Sequence, residues 1–158
     1  MKTLAGWSAA LAVAALCVAS PAQAAGCWGP RAIAAAKLRN LDIMLMVTAL
    51  RCRTGPDDFQ PDYYAFSAAH RGELGAANVV LNAQLDEVPH ALDNLSTSIA
   101  NSFGGGHSEL GCSDLGQLTR DLTNSQVPGA LLSAADALVG APTIPATACT
   151  VRIATVRR

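Results

Sequence analysis

Hydrophobic residues recur at helical spacing along most of the chain, and the densest run lies at positions 32–52, AIAAAKLRNLDIMLMVTALRC. Within this run, one set of residues recurs at intervals of three and four, the spacing of the inward face of a helix. The members of this inward set are Leu38, Leu41, Leu45, Thr48 and Cys52. The neighbouring positions are apolar as well, so other helices are needed to cover the segment. The pattern predicts that helix 32–52 is the centre of a bundle.

The remaining segments predict helices that cover this central one. A second helix is indicated over about 61–87 by a single apolar face, which consists of Phe66, His70, Leu74, Ala77, Leu81, Leu85 and Val88. Shorter helices are indicated over 90–103, from Ser113 onward and over 128–139, and residues 140–158 form an irregular tail. The sequence therefore predicts an all-α fold, a compact up-and-down bundle of about five helices.

Small residues are frequent in the second predicted helix. Gly72 and Gly75 are unfavourable inside a helix, at about 1 kcal/mol each relative to alanine. Alanines lie near them, namely Ala68, Ala69, Ala76 and Ala77. We expect these small residues to let the central helix approach closely.

The amino terminus has the pattern of a signal peptide over residues 1–24. Lys2 supplies a positive charge, an apolar run follows over 4–19, and the small residues at 22–24 are typical of a cleavage site after Ala24. The run is too short and too rich in alanine to serve well as a permanent span. We also expect no transmembrane span in the mature chain, residues 25–158. We expect export to the periplasm or beyond. The alternative is a lipoprotein acylated at Cys27, which small residues also precede.

Four cysteines remain after removal of the signal peptide, and an even number in an exported chain indicates two disulfides. Helix 32–52 is roughly 30 Å long, whereas a disulfide needs Cα atoms about 5–6 Å apart, which excludes the pair Cys27–Cys52. An up-and-down path then brings Cys112 to the end of the bundle that holds Cys52. The same path returns Cys149 to Cys27.

Two stretches, KLRNLDIMLMVTALRCR and DYYAFSAAHRGELGAANVVLNAQL, resemble a family of small exported bacterial proteins of the alphaproteobacterial type without assigned function. The resemblance covers about Leu38–Leu85 well and the rest loosely. It implies an exported helical domain and a later cysteine like Cys112, which supports the Cys52–Cys112 pair. It implies no catalytic residue.

Charge narrows the classes of partner. The chain carries 11 lysines and arginines against 12 aspartates and glutamates, for a net charge of −1. No face of the protein needs to be basic, so we expect no nucleic-acid partner.

The sequence GGGHSE at 104–109 is the most prominent candidate for chemistry. A phosphate-binding loop would follow a strand and end in lysine and serine or threonine, and neither feature is present. His107 and Glu109 occur with Cys112, but the Pro-Cys-x-x-Cys sequence that a zinc deaminase requires is absent. His70 and His90 share no metal-binding spacing with His107. We therefore favour a flexible loop between helices over a chemical site at these residues.

The chain offers few other candidates. Asp57, Asp58 and Asp62 lack the alternating spacing of a calcium loop, so turn and cap roles explain them better. Tyr63 and Tyr64 are adjacent on one helix, so only one of them can point inward while the other is available to a partner.

These observations predict a non-enzymatic structural or protein-interaction module of the bacterial envelope. It would be stabilised by disulfides, need no cofactor or metal, and bind another envelope protein or a peptide. The alternative is a small metal-binding protein or hydrolase that uses the Gly104–His107 loop. The speculative site residues are His107, Glu109, Tyr63 and Tyr64.

Overall fold

The computed structural model of the protein describes residues 27–86, 88–142 and 144. These residues contain six α-helices and no strand element, which confirms the all-α prediction for this part of the chain. The helices are α1 (Pro30–Cys52), α2 (Gln60–Ala69), α3 (Arg71–Leu85), α4 (Ala91–Ser102), α5 (Cys112–Asn124) and α6 (Ala130–Leu138). The predicted signal peptide, Cys149 and nearly all of the predicted tail lie outside the described residues.

The helix α1 contacts each of the other five helices. It begins at Pro30, a residue suited to the first turn because its missing N–H would have no partner there. The predicted inward set is buried along its whole length, and Leu41 and Leu45 are completely inaccessible to solvent. Ile43 and Met44 are buried on the neighbouring face. The side chains of α1 therefore form the largest part of the hydrophobic core.

The second predicted helix is divided at His70, so the prediction of one helix over 61–87 is wrong. His70 has φ −104° and ψ 16°, outside the helical region. The backbone hydrogen bonds continue across it, from the N–H of His70 to Phe66 and from the N–H of Leu74 to His70, each 3.0 Å. The division is therefore a bend. It allows α2 to pack chiefly on α5 while α3 packs chiefly on α1.

The small residues of α2 and α3 do not mediate close approach to α1. Gly72, Gly75 and Ala76 are exposed, and a methyl group added at either glycine would have no neighbouring atom within 4 Å. The buried face of α3 consists of Leu74, Ala77 and Leu81. The predicted role of the small residues is therefore wrong, apart from the burial of Ala77.

A disulfide joins the end of α1 to the start of α5. The Cα atoms of Cys52 and Cys112 are 5.8 Å apart, and the predicted pairing is confirmed. The bond closes a loop with a sequence separation of 60, for which the chain-entropy model gives about 4 kcal/mol of stabilisation. The pair Cys27–Cys149, and with it the total of two disulfides, stays a prediction because Cys149 is not among the described residues.

The described helices include none that is both long enough and apolar enough to cross a lipid bilayer.

Replacement of Leu45 by alanine tests the importance of α1. Because Leu45 is completely buried, we expect Leu45→Ala to lower the free energy of unfolding by about 2–5 kcal/mol. The matched control is Val79→Ala on α3, where the side chain is 68% exposed and the change should stay within about 0.5 kcal/mol. Urea denaturation measures both. A loss below about 1 kcal/mol for Leu45→Ala would contradict a core centred on α1.

Candidate functional site

The glycine-rich loop after α4 is a compact turn held by an arginine of α1. The N–H of Gly106 donates to Phe103 O at 2.8 Å, and Gly106 has φ 92°, a conformation that favours glycine. The guanidinium of Arg51 donates to Gly104 O, and its Nε would lie 3.5 Å from a methyl group added at Gly106. The positive φ therefore explains the glycine at position 106, and a methyl group added at Gly104 would lie 3.2 Å from Asn101 O, whereas one added at Gly105 would have no neighbouring atom within 4 Å.

His107 uses both ring nitrogens to fix this loop. Nδ1 accepts hydrogen bonds from the N–H groups of Glu109 and Leu110, each at 3.1 Å, and Nε2 lies 3.2 Å from Leu138 O. Amide N–H groups only donate and a carbonyl only accepts, so these partners assign the neutral tautomer with hydrogen on Nε2. The imidazole thereby ties the loop to the end of α6. A metal ion or a substrate proton could use His107 only after one of these bonds had broken.

The other predicted site residues of this region do not converge on His107. Glu109 is exposed, and its contact with His107 is made by its backbone. His70 lies elsewhere, with Nε2 2.9 Å from Leu122 O and its ring against Phe66. His90 is exposed at the start of α4. Among the described residues, no group of three or more histidine, cysteine, aspartate or glutamate side chains is placed to hold a metal ion.

A polar network that contains the buried Asp42, absent from the sequence predictions, joins α1, α2 and α4. Asp42 is only 8% exposed; its Oδ1 accepts from the hydroxyl of Tyr63 at 3.0 Å and its Oδ2 from Arg39 at 3.2 Å. Arg39 also donates to Ser96 Oγ, at 3.3 Å from Nε and 3.1 Å from Nη2. Ser96 in turn donates to Leu92 O at 2.7 Å. We call Arg39, Asp42, Tyr63 and Ser96 the Asp42 network.

Burial dominates the electrostatics of the Asp42 network. Desolvation raises the pKa of Asp42, opposed by the hydrogen bond from Tyr63 and by the charge of Arg39. Desolvation also raises the pKa of Tyr63, and the nearby carboxylate raises it further. Tyr63 is therefore held as a neutral hydrogen-bond donor. Each group faces a partner inside the protein, which is the arrangement of a structural network.

The two adjacent tyrosines separate as the sequence predicts. Tyr63 is 9% exposed and belongs to the Asp42 network, whereas Tyr64 is 61% exposed. The hydroxyl of Tyr64 accepts a hydrogen bond of 3.0 Å from Gln60 one turn earlier. Tyr64 is thus the member of the pair that a partner can reach.

Two signals in the sequence could have revealed the Asp42 network. Asp42 is the only charge in the apolar run from Leu41 to Leu50, and an isolated carboxylate on a buried helix needs a partner. Arg39 lies three residues earlier, on the same side of the helix. No local pattern indicates that Tyr63 and Ser96 complete the network.

Comparison with known proteins finds no family model, no curated protein and no solved structure that matches this chain. The resemblance to small exported bacterial proteins therefore stays a prediction.

The Asp42 network predicts a specific dependence of stability on pH. Because burial raises the pKa of Asp42 above its value of 3.8 in the unfolded chain, the folded protein binds this proton more readily. The contribution of Asp42 to stability is therefore complete below pH 3.8 and is lost as the pH rises through the higher, folded pKa. We expect the stability of the wild type relative to Asp42→Asn to fall as the pH rises from 3.8 toward neutrality.

Urea denaturation of both proteins at a series of pH values measures this difference, with the exposed Asp86→Asn as the matched control. The control should show no such trend relative to the wild type. If the advantage of the wild type over Asp42→Asn instead grows with pH, then Arg39 and Tyr63 outweigh burial in setting the pKa of Asp42.

Proposed function

We propose that the chain is an exported, disulfide-stabilised helical protein of the bacterial envelope that acts by binding another protein or a peptide, without catalysis of its own. The observation that carries this proposal is the use of His107, the most chemically suggestive residue of the sequence. Both of its ring nitrogens face backbone groups, so it acts as an anchor. The proposal includes an up-and-down arrangement of the helices and a second disulfide, Cys27–Cys149.

Other reactive side chains of the described residues are also committed to internal contacts. Cys52 and Cys112 are joined to each other, and Asp42 and Tyr63 are paired within the core. His70 supports the bend between α2 and α3. The internal polar groups thus stabilise the fold, and we infer that binding uses residues on the surface.

The outer faces of α2 and α3 are the proposed binding surface. Tyr64 on α2 and Val79 on α3 are 61% and 68% exposed. From Tyr64 to Ala83 the only charged residues are Arg71 and Glu73. A surface with few charges has a low free energy of desolvation. Together with an exposed tyrosine, this resembles the centre of a protein interface.

Capture from an envelope extract tests this surface. With the mature protein as bait, we expect a partner that is retained by the wild type and lost from Tyr64→Ser or Val79→Ser. Val127→Ser is the matched control, because Val127 is 69% exposed but lies in the turn between α5 and α6. If Tyr64→Ser and Val79→Ser retain the partner as well as the wild type does, the proposed surface is contradicted. If no protein is retained at all, this counts against a binding function.

The alternative, a metal-binding protein or hydrolase using the Gly104–His107 loop, requires His107 to leave its backbone partners. Thermal melting with added zinc or nickel separates the two proposals. We expect the melting temperature of the wild type to respond no more than that of His107→Ala. A large upward shift of the wild type that disappears in His107→Ala would favour the alternative.

Export is tested by the mass of the protein recovered from the periplasm or the medium. We expect Ala25 as the first residue, because cleavage after Ala24 follows the small residues at 22–24. Recovery of a diacylated Cys27 at the amino terminus would replace this proposal with the lipoprotein alternative.

A further inference from the structure

The two sulfurs of the Cys52–Cys112 disulfide differ in their surroundings. Cys52 is the last residue of α1 and is only 5% exposed within the hydrophobic core. Cys112 is the first residue of α5 and is partly exposed. Thiol–disulfide exchange requires the attacking and attacked sulfurs to meet in solvent-accessible space. Cys112 therefore offers the easier approach to an external reagent.

The helix ends strengthen this difference when the bond is open. A thiolate at the start of a helix is stabilised by the unpaired N–H groups and the helix dipole, which applies to Cys112. A thiolate at the end of a helix faces carbonyl oxygens, and at Cys52 it would also be surrounded by apolar side chains. The reduced protein should therefore present its more reactive sulfur at Cys112.

Noncovalent contacts fix the chain on both sides of Cys112, in the loop before it and in the first turn of α5 after it. Arg51, the residue before Cys52, binds Gly104 O. His107 fixes the middle of the loop to Leu138 on α6. The carboxylate of Asp114 accepts the N–H of Gly111 at 3.2 Å, which shapes the first turn of α5. Each of these contacts is made by atoms other than the two sulfurs.

We propose that Cys112 is the sulfur through which this disulfide is exchanged with a disulfide donor of the glutathione type, and that Cys52 is the resolving cysteine. In the first step the thiolate of Cys112 attacks one donor sulfur, the donor S–S bond breaks, and one donor thiolate leaves. In the second step the thiolate of Cys52 attacks the Cys112 sulfur and releases the other donor thiolate. The two protons of the cysteines go to solvent, and the donor gains the two electrons.

Trapping of the mixed disulfide tests the order of attack. Reduced Cys52→Ala and Cys112→Ala proteins are treated with oxidised glutathione, quenched with acid, and mapped by mass spectrometry. We expect glutathione to add to Cys112 of the first variant at least about ten times faster than to Cys52 of the second. Equal rates, or faster addition to Cys52, would overturn the proposal.

The wild type gives an independent measurement of the order of attack if either variant fails to fold. Samples quenched early during reoxidation should contain glutathione on the peptide of Cys112 before any appears on the peptide of Cys52. The reverse order would overturn the proposal.

The role of the loop contacts is tested in the second step. We expect His107→Ala to slow the attack of Cys52 on the mixed disulfide several-fold, because the loop is no longer tied to α6. His90→Asn, which changes an exposed histidine outside this loop, is the control and should leave the rate unchanged. Closure of the bond at the wild-type rate in His107→Ala would show that these contacts do not position Cys112.

Discussion

A helix of 23 residues that is apolar on nearly every side is stable in water only when other helices cover it. In this protein α1 has that character, and each of the other five helices lies against it. Its completely buried residues include Leu41, Met44 and Leu45, whose transfer out of water supplies a large share of the hydrophobic stabilisation. The short outer helices have little reason to form by themselves, since isolated helices of their length are marginal in water. Their stability therefore depends on contact with α1.

Features set by local pattern or covalent geometry could be predicted from the sequence. The inward face of α1 follows from its spacing, and the Cys52–Cys112 bond follows from the length of that helix and the order of the elements. The opposite placement of Tyr63 and Tyr64 follows from their adjacency on one helix. In each case the information lies within a few turns of the chain or in a simple distance limit.

Features that depend on distant contacts could not be predicted in this way. The bend at His70 reflects the different partners of α2 and α3, and the exposure of Gly72 and Gly75 follows from how α3 is rotated against α1. The glycine-rich sequence predicts a flexible loop, whereas Arg51 and His107 tie this loop to α1 and α6. Each of these contacts joins residues more than thirty positions apart, where periodicity gives no information.

The Asp42 network has a consequence for the uniqueness of the fold. Because α1 is apolar around most of its circumference, hydrophobic burial alone distinguishes poorly between different rotations of this helix about its own axis. A rotation of a fraction of a turn would keep most apolar contacts and the Arg39–Asp42 pair, since both residues lie on α1, but it would separate Asp42 from Tyr63 and Arg39 from Ser96. The buried carboxylate of Asp42 would then lack the hydroxyl donor of Tyr63, and a buried polar group that loses its hydrogen-bond partner costs more than a changed apolar contact. The network thus favours one rotation of α1 about its own axis, as a single buried polar residue fixes the register of a coiled coil.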